Sequence, residues 1–214
     1  MNFEKTMLPT LMIAIAGPSG SGKTQLAHNL IDQMRAEGLD AVSLLHEDAY
    51  YRSQSHISFE ERLKTNYDHP DAFDYPLLIE HLTELSDGKS ISCPVYNYEQ
   101  HTRSSETIEV SANPIVILEG ILVLANPQLR NLFDMKFFVD TPLDICLSRR
   151  IRRDVAERGR SIDSVVEQYL QTVRPMYYQY VEPSKQFADI LVPHGGYNWR
   201  AIELIKSQLL QKLR

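Results

Sequence analysis

The sequence predicts an α/β fold, in which a parallel sheet is flanked by helices, and three observations carry this prediction. Short apolar runs of the kind that form buried parallel strands recur along the chain. They occupy residues 11–16, 41–45, 115–118, 136–140 and 189–192. Stretches with apolar residues at helical spacing lie between several of these runs. A glycine-rich stretch joins the first run to the first helical stretch, which is the usual place for a phosphate-binding turn.

This glycine-rich stretch fits the phosphate-loop pattern G-x-x-x-x-G-K-[ST]. It consists of Gly17, Pro18, Ser19, Gly20, Ser21, Gly22, Lys23 and Thr24. The glycines allow successive backbone N–H groups to point at an anion, and Lys23 adds a positive charge against the outer phosphates. The Thr24 hydroxyl can ligate Mg²⁺. We therefore expect a P-loop NTPase-type sheet that binds a nucleoside triphosphate, with the N-terminal end of the following helix directed at the phosphates.

Length, charge and cysteine content limit the other possibilities. The 214 residues favour one domain with an insertion, and the net charge of −6 disfavours a nucleic-acid partner. No signal-peptide pattern opens residues 1–10 and no apolar stretch approaches the length of a membrane span, so we expect a cytoplasmic protein without a membrane partner. Cys93 and Cys146 lack metal-ligand spacing and are expected to be reduced thiols.

Two carboxylates follow buried strands. Asp48 comes shortly after the run at 41–45, and Glu119 directly follows the run at 115–118. Because ligands bind beyond the carboxyl ends of parallel strands, we expect both at the edge that carries the phosphate loop. Asp48 could accept a proton from an attacking hydroxyl, with a turn or capping aspartate as the alternative. Glu119 could hold Mg²⁺ directly or through water, with a solvent-facing glutamate as the alternative.

Residues 50–110 interrupt the alternation of strands and helices. Ser58 with Glu61 forms a capping-box pattern that predicts a short helix, and Pro76 begins a helix that Gly88 ends. Two β-like segments at 91–95 and 107–110 then flank a polar and aromatic loop at 96–103. We interpret them as a hairpin over the mouth of the site, suited to a planar polar ligand, with an ordinary solvated loop as the alternative.

Arginines are concentrated in the helix predicted from Pro142 to about Glu157 and in the residues just after it. They are Arg149, Arg150, Arg152, Arg153, Arg158 and Arg160. A spacing of three or four residues places several of them on one helix face, and guanidinium groups suit phosphoryl charge. We predict a helical arginine lid at about 150–162 that excludes water, with a solvated basic face as the alternative. Ser161 is expected to cap a further helix with one buried side, formed by Ile162, Val165, Val166, Tyr169 and Val173.

Several stretches resemble bacterial uridine kinases (uridine/cytidine kinases), and the resemblance covers about Ile13 to Ile205. They are Asp48–Tyr51, Tyr67–Pro70, Pro94–Tyr98 with His101–Arg103, Leu118–Leu122 and Arg152–Arg160. The phosphate loop discriminates little because many families share it, whereas these stretches are more specific. The resemblance implies a single P-loop kinase domain over residues 1–214, with a nucleoside-binding insertion at about 50–110. It also implies transfer of the γ-phosphate of ATP or GTP to the 5′-hydroxyl of uridine or cytidine, with Mg²⁺.

The resemblance also implies roles for single residues. Asp48 is similar to the catalytic base, Lys23, Arg153 and Arg158 to the groups around the transferred phosphate, and Thr24 and Glu119 to the Mg²⁺ positions. The implied substrate contacts are Asp48, Tyr51, Asp68, Tyr96, His101, Arg150, Arg160 and Gln168. Among these, Asp68, Arg150 and Gln168 correspond to sugar contacts, and Tyr96 and His101 to residues that read the pyrimidine. Members of this family are homotetramers that CTP and UTP inhibit, so we expect the same here.

Three other readings stay open at this point. Phosphoribulokinase or pantothenate kinase would share the fold but would not need the loop that contains Tyr96 and His101. A GTP-switch protein would normally carry an N-K-x-D motif, which does not occur in the sequence. A slow hydrolase would consume triphosphate equally with and without uridine.

Overall fold

The computed structural model describes residues 10–213, so nearly all of the lead-in predicted over residues 1–10 lies outside this range. Five parallel strands form the main sheet. In chain order they are β1 (Leu11–Ala16), β2 (Val42–His46), β5 (Ile115–Gly120), β6 (Met135–Asp140) and β7 (Ile190–Pro193). Their spatial order is β2-β5-β1-β6-β7. The α/β fold class and the five strands predicted from the apolar runs are therefore confirmed.

Nine α-helical segments lie in the described part of the chain. They are α1 (Lys23–Ala36), α2 (Phe59–Arg62), α3 (Tyr75–Ser86), α4 (Pro127–Arg130), α5 (Leu143–Arg158), α6 (Ile162–Gln168), α7 (Arg174–Met176), α8 (Glu182–Ser184) and α9 (Trp199–Lys212). The predicted capping box opens α2, because Ser58 accepts from the Glu61 amide and Glu61 accepts from the Ser58 amide. Within residues 10–213, no helix combines the length and the apolarity that crossing a membrane would require.

The sheet is covered on both faces, which explains why its strands read as continuous apolar runs. Ile13 and Ile15 of β1 point to the face covered by α1 and α9, where Leu26 and Ile202 are fully buried. The alternate residues of β1 point to the other face. There they share a second core with α3 and the insertion, including Leu78, Leu82, Tyr50 and Phe73.

The predicted hairpin is present, but its strands are longer than expected. Strands β3 (Ile91–Asn97) and β4 (Thr102–Val110) pair in antiparallel fashion, so only residues 98–101 form the loop. The loop predicted at 96–103 was therefore too long. Its outer residues are held as strand partners: Tyr96 opposes Arg103, which donates to the Tyr50 carbonyl and to Asp74. The sequence pattern did not predict these residues as strand, because polar side chains carry little strand signal and their partners lie elsewhere in the insertion.

The helix predicted from Ser161 is also only partly correct. Ser161 caps α6 as expected, and Val165 and Val173 are buried. The predicted burial of Ile162 was wrong, since this residue is 57% exposed. Ile162 is the first residue of α6 and lies at the exposed end of that helix. Further along, the chain widens into π-helical turns at Tyr169–Val173 and Tyr177–Val181, which shift the face that a regular 3.6-residue period would bury there.

Candidate active site

The phosphate loop forms a preshaped anion cradle at the start of α1. Gly20 and Gly22 have positive φ angles of 82° and 97°, and a Cβ at Gly20 would collide with the Cys146 carbonyl. Thr141 and Arg149 both donate to the Ser21 carbonyl, at 2.9 and 3.2 Å, and hold the loop from outside. The buried Ser21 Oγ has no hydrogen-bond partner among the described residues. A polar lining with an unpaired buried oxygen fits a loop that completes its hydrogen bonds with a ligand.

Lys23, Thr24 and Glu119 meet beside this cradle. Lys23 is buried and its Nζ donates to the Pro18 carbonyl at 3.1 Å. The Thr24 hydroxyl donates to Glu119 Oε1 at 2.9 Å, and His46 Nδ1 lies 2.7 Å from the same oxygen. Burial favours a raised pKa for Glu119, but the hydrogen bond with His46 and the charge of Lys23 outweigh it, and the net pKa is lowered. Glu119 is thus an ionised, buried carboxylate and not a solvent-facing one.

The oxygens of Thr24 and Glu119 suit Mg²⁺, which prefers a few protein oxygens together with phosphate and water. Within residues 10–213, no group of three His, Cys, Asp or Glu side chains could hold a metal by itself.

Asp48 lies at the carboxyl end of β2, on a 3-10 turn formed by Glu47–Tyr50. Its Oδ2 accepts a hydrogen bond from the Tyr98 hydroxyl at 3.2 Å. Tyr98 stands at the hairpin tip, and the Arg158 guanidinium lies 4.9 Å from the centre of its ring, in cation–π contact. The hairpin, the arginine segment and the strand-end carboxylate therefore meet at Asp48. No role was predicted for Tyr98, although its closeness to Tyr96 within the polar and aromatic loop at 96–103 was a usable signal.

A wall of aromatic rings adjoins Asp48. Tyr51 stacks on Phe73 with centroids 4.4 Å apart and lies 5.0 Å from Tyr96, and Tyr67 lies 5.5 Å from His101. The buried Tyr96 hydroxyl oxygen has no hydrogen-bond partner in the described part of the chain. The predicted residues Tyr51, Tyr96 and His101 are thus brought together, and Tyr67 joins them as a residue without an assigned role.

Asp68, Arg150 and Gln168 form a polar patch between the aromatic wall and the phosphate loop. Arg150 donates to Ser19 Oγ at 3.0 Å and to Gln168 Oε1 at 2.8 Å, and Arg160 donates to the same oxygen at 2.5 Å. Asp68 and Ser19 line one small cavity. Burial raises the pKa of Asp68, although the nearby charge of Arg150 works against this shift.

His101 occupies the hairpin turn with a φ of 50°, which is an uncommon conformation for a residue other than glycine. Its pKa is lowered, first by burial and then by the charges of Arg160, Arg158 and Arg62. A lowered pKa keeps the ring neutral at pH 7, and a neutral imidazole carries one hydrogen-bond donor and one acceptor.

The arginines of the predicted lid do not all point the same way. Arg149 reaches the phosphate loop and Arg152 is exposed. Four others converge on Asp154, a fully buried carboxylate to which the sequence analysis assigned no role. They are Arg150, Arg153, Arg158 and Arg160. An acidic residue inside a basic helix was the signal that could have identified it.

Glu47 is a second buried acid that the sequence analysis left unassigned. Its side chain is fully buried next to Asp48, and its Oε2 accepts from the Leu122 amide at 2.8 Å. A Cβ at Gly120 would overlap with the Glu47 side chain, so the end of β5 packs directly on it. Burial raises the pKa of Glu47 to about 8. Glu47 therefore packs against the end of β5 and directly precedes Asp48, and it helps to hold both in place.

Replacing Glu47 by glutamine is expected to remove a pH-dependent loss of stability. Because the folded-state pKa of Glu47 is about 8 and the ordinary value is 4.5, its contribution is complete below about pH 4.5 and is lost as the pH rises towards 8. Glutamine does not titrate. Between pH 4.5 and 8, the free energy of unfolding of E47Q should therefore increase by about 2–4 kcal/mol relative to that of the wild type. Denaturant unfolding near pH 5 and near pH 8 measures the difference. E60Q, at an exposed glutamate, is the control, and a gap between E47Q and wild type that is independent of pH would contradict the prediction.

Comparisons with known proteins found a matching family model and similar chains. The model of the phosphoribulokinase/uridine kinase family matches residues 12–199. A uridine kinase of Escherichia fergusonii is 54% identical over 202 residues, which cover 94% of this chain and 95% of that protein. A uridine kinase of Shewanella sp. (strain ANA-3) is 52% identical over 200 residues, covering 93% and 94%. The structure of phosphoribulokinase from Rhodobacter spheroides superposes with a TM-score of 0.65 at 18% identity, covering 87% of this chain and 71% of that one, and shows the shared fold.

Proposed function

Because the chain belongs to the phosphoribulokinase/uridine kinase family, we propose that it is a uridine/cytidine kinase. It transfers the γ-phosphate of ATP or GTP to the 5′-hydroxyl of uridine or cytidine and forms UMP or CMP. The observation that carries this proposal is the arrangement around Asp48. The anion cradle with Lys23, the strand-end carboxylate of Asp48 and the aromatic wall lie near one another. The Tyr98 hydroxyl donates to Asp48 while its ring adjoins Tyr96, and Asp68 feels the charges of both Asp48 and Lys23.

Asp48 accepts the proton of the 5′-hydroxyl as that oxygen attacks the γ-phosphorus. The phosphate loop and Lys23 hold the triphosphate, and Arg153 and Arg158 neutralise the charge that develops on the transferred group. Thr24 and Glu119 would hold Mg²⁺, which would neutralise part of the charge of the phosphates. Alignment and electrostatics then supply most of the rate enhancement, and proton transfer to Asp48 adds about 10²–10⁴-fold.

The nucleoside occupies the space between the aromatic wall and the polar patch. Tyr51 and Tyr96 contact the planar base, and His101 with Arg160 reads its polar edge. A neutral His101 ring donates to the O4 of uracil or accepts from the N4 amine of cytosine, so one pocket takes both bases. Asp68 accepts hydrogen bonds from the ribose hydroxyls, and Arg150 and Gln168 make the remaining sugar contacts.

We also propose a homotetramer, as the resemblance to uridine kinases implies. Trp199 and Leu204 of α9 are 55% and 69% exposed, and large apolar groups in that position favour contact with another subunit. Feedback inhibition by CTP and UTP fits the same site, because each of them combines a pyrimidine nucleoside with a triphosphate.

A coupled nucleotide-release assay over ribonucleosides and deoxyribonucleosides, with ATP and with GTP as donor, tests the proposal. Uridine and cytidine should be the best acceptors, and triphosphate consumption without an acceptor should be slow. Equal consumption with and without uridine would indicate a hydrolase. Activity on sugar phosphates but not on nucleosides would indicate a kinase closer to phosphoribulokinase.

Replacing His101 by alanine is expected to raise the KM for uridine and cytidine by about tenfold or more, because a hydrogen bond to the base is lost. The KM for the triphosphate should stay the same, since the phosphate loop is untouched. H28A, at an exposed histidine on α1, is the matched control. Unchanged nucleoside KM values would remove His101 from base recognition.

A further inference from the structure

Asp154 is a single buried carboxylate faced by four arginines. Its Oδ1 lies 2.8 Å from Arg153 Nη2 and 3.6 Å from Arg158 Nη1, and its Oδ2 lies 3.4 Å from Arg160 Nη1 and 3.7 Å from Arg150 Nε. The carboxylate has no solvent exposure, whereas the side chains of Arg153, Arg158 and Arg160 are one quarter to one third exposed. The acid therefore lies under the arginines, and the arginines face the site.

The charges of this cluster do not balance. Four guanidinium groups face Asp154, and the charge of Asp68 also acts on Arg150, so the four positive charges still exceed the two negative ones. Like charges this close repel, and without a fixed anion the flexible side chains would spread into solvent. Asp154 supplies that anion from a position that solvent does not reach. The excess positive charge is then available to an incoming triphosphate.

Arg150, Arg158 and Arg160 also connect Asp154 to other parts of the candidate site. Arg150 reaches Ser19 in the phosphate loop and Gln168 on α6. Arg160 shares that Gln168 oxygen and also bonds Ser164. Arg158 lies over the ring of Tyr98, whose hydroxyl donates to Asp48.

We propose that Asp154 is a positioning residue for phosphoryl transfer, which gathers Arg150, Arg153, Arg158 and Arg160 into their working arrangement before the substrates bind. It contacts neither substrate and acts through the four guanidinium groups. This inference rests on the proposed function. The competing reading is a purely structural ion cluster that ends α5, where the backbone amide of Arg160 already donates to the Asp154 carbonyl.

The test compares D154N, D154E and wild type in uridine phosphorylation. Asparagine keeps the size of the side chain but removes the charge, so kcat should fall by about 10²-fold, the loss expected when catalytic groups move by about 1 Å. The KM for ATP should change less than about threefold, because the phosphate loop still holds the triphosphate. D154E restores the charge with one extra methylene and should recover part of kcat. D144N, at an exposed aspartate on the same helix, should behave as wild type.

A purely structural role predicts a different pattern. D154N would then have a lower Tm, but kcat per folded molecule and both KM values would match wild type, and this result would overturn the inference. Limited trypsin digestion gives a readout that does not depend on activity. Cleavage after Arg158 and Arg160 should be faster in D154N than in wild type and D144N at a temperature where all three are folded.

Equal cleavage rates would also overturn the inference, and they would do so even if D154N did not turn over at all. A wild-type protein without activity on nucleosides would instead overturn the proposed function, while the digestion result would still decide whether Asp154 orders the arginines.

Discussion

Replacing Asp48 by asparagine is expected to lower kcat for uridine phosphorylation by about 10²–10⁴-fold. The amide has nearly the same shape as the carboxylate and can still accept the hydrogen bond from Tyr98, but it cannot take a proton from the 5′-hydroxyl. Binding of uridine and of the triphosphate should therefore persist, which calorimetry can measure alongside the steady-state assay. Asp48 is a good candidate for this role because it is half-buried at the end of β2, at the edge of the sheet that carries the phosphate loop.

The control for this variant is D163N, which removes the same charge from an exposed position at the start of α6. It should retain the wild-type kcat. Near-normal turnover by D48N would exclude Asp48 as the base, whereas loss of uridine binding would mean that its main contribution is to hold the acceptor.

Replacing Asp68 by alanine is expected to lower kcat/KM for uridine by roughly 10³-fold and for 2′-deoxyuridine by much less. Asp68 is only 9% exposed. When the ribose hydroxyl is missing, bulk water therefore does not replace the hydrogen bond that the carboxylate has lost. The wild type should therefore reject deoxyribose strongly, and the variant should lose most of that discrimination. The ratio of the two kcat/KM values, measured for both proteins, checks the prediction.

Asp71 offers a matched control three residues away, because its side chain is 92% exposed. D71A should keep the preference for ribose. If D68A reduces the activity on both nucleosides equally, Asp68 supports the site through Arg150 and does not read the sugar.

The aromatic insertion shows how far sequence reasoning reaches within one element. The two β-like segments at 91–95 and 107–110 predicted a hairpin, and a hairpin is present. The polar and aromatic residues between them predicted a ligand-facing surface. The strand ends were misjudged because Arg103 is held by Asp74 and by the Tyr50 carbonyl, which lie far away in the chain. Local propensity carries no information about partners of that kind.

The arginines of α5 and of the residues just after it also have contacts that the sequence pattern predicted only in part. Spacing alone predicted that several arginines share a face, and four of them do converge in space. The spacing of the arginines could not show that they face Asp154, because the burial of this aspartate depends on tertiary packing; an acidic residue inside a basic helix was the available signal. Glu47 is a similar case: it is adjacent to Asp48 in sequence, yet full burial changes its charge state at neutral pH.

The sequence by itself determined the sheet, the phosphate loop and the placement of Asp48 and Glu119 at strand ends, because these features depend on hydrophobic period and on spacing between near neighbours. Only the tertiary structure decided that Tyr98 donates to Asp48, that Glu47 is sealed behind Gly120, and that Asp154 lies beneath four arginines. The physical reason is that burial and long-range contacts set these last three features. Both arise when segments far apart in the chain pack against each other.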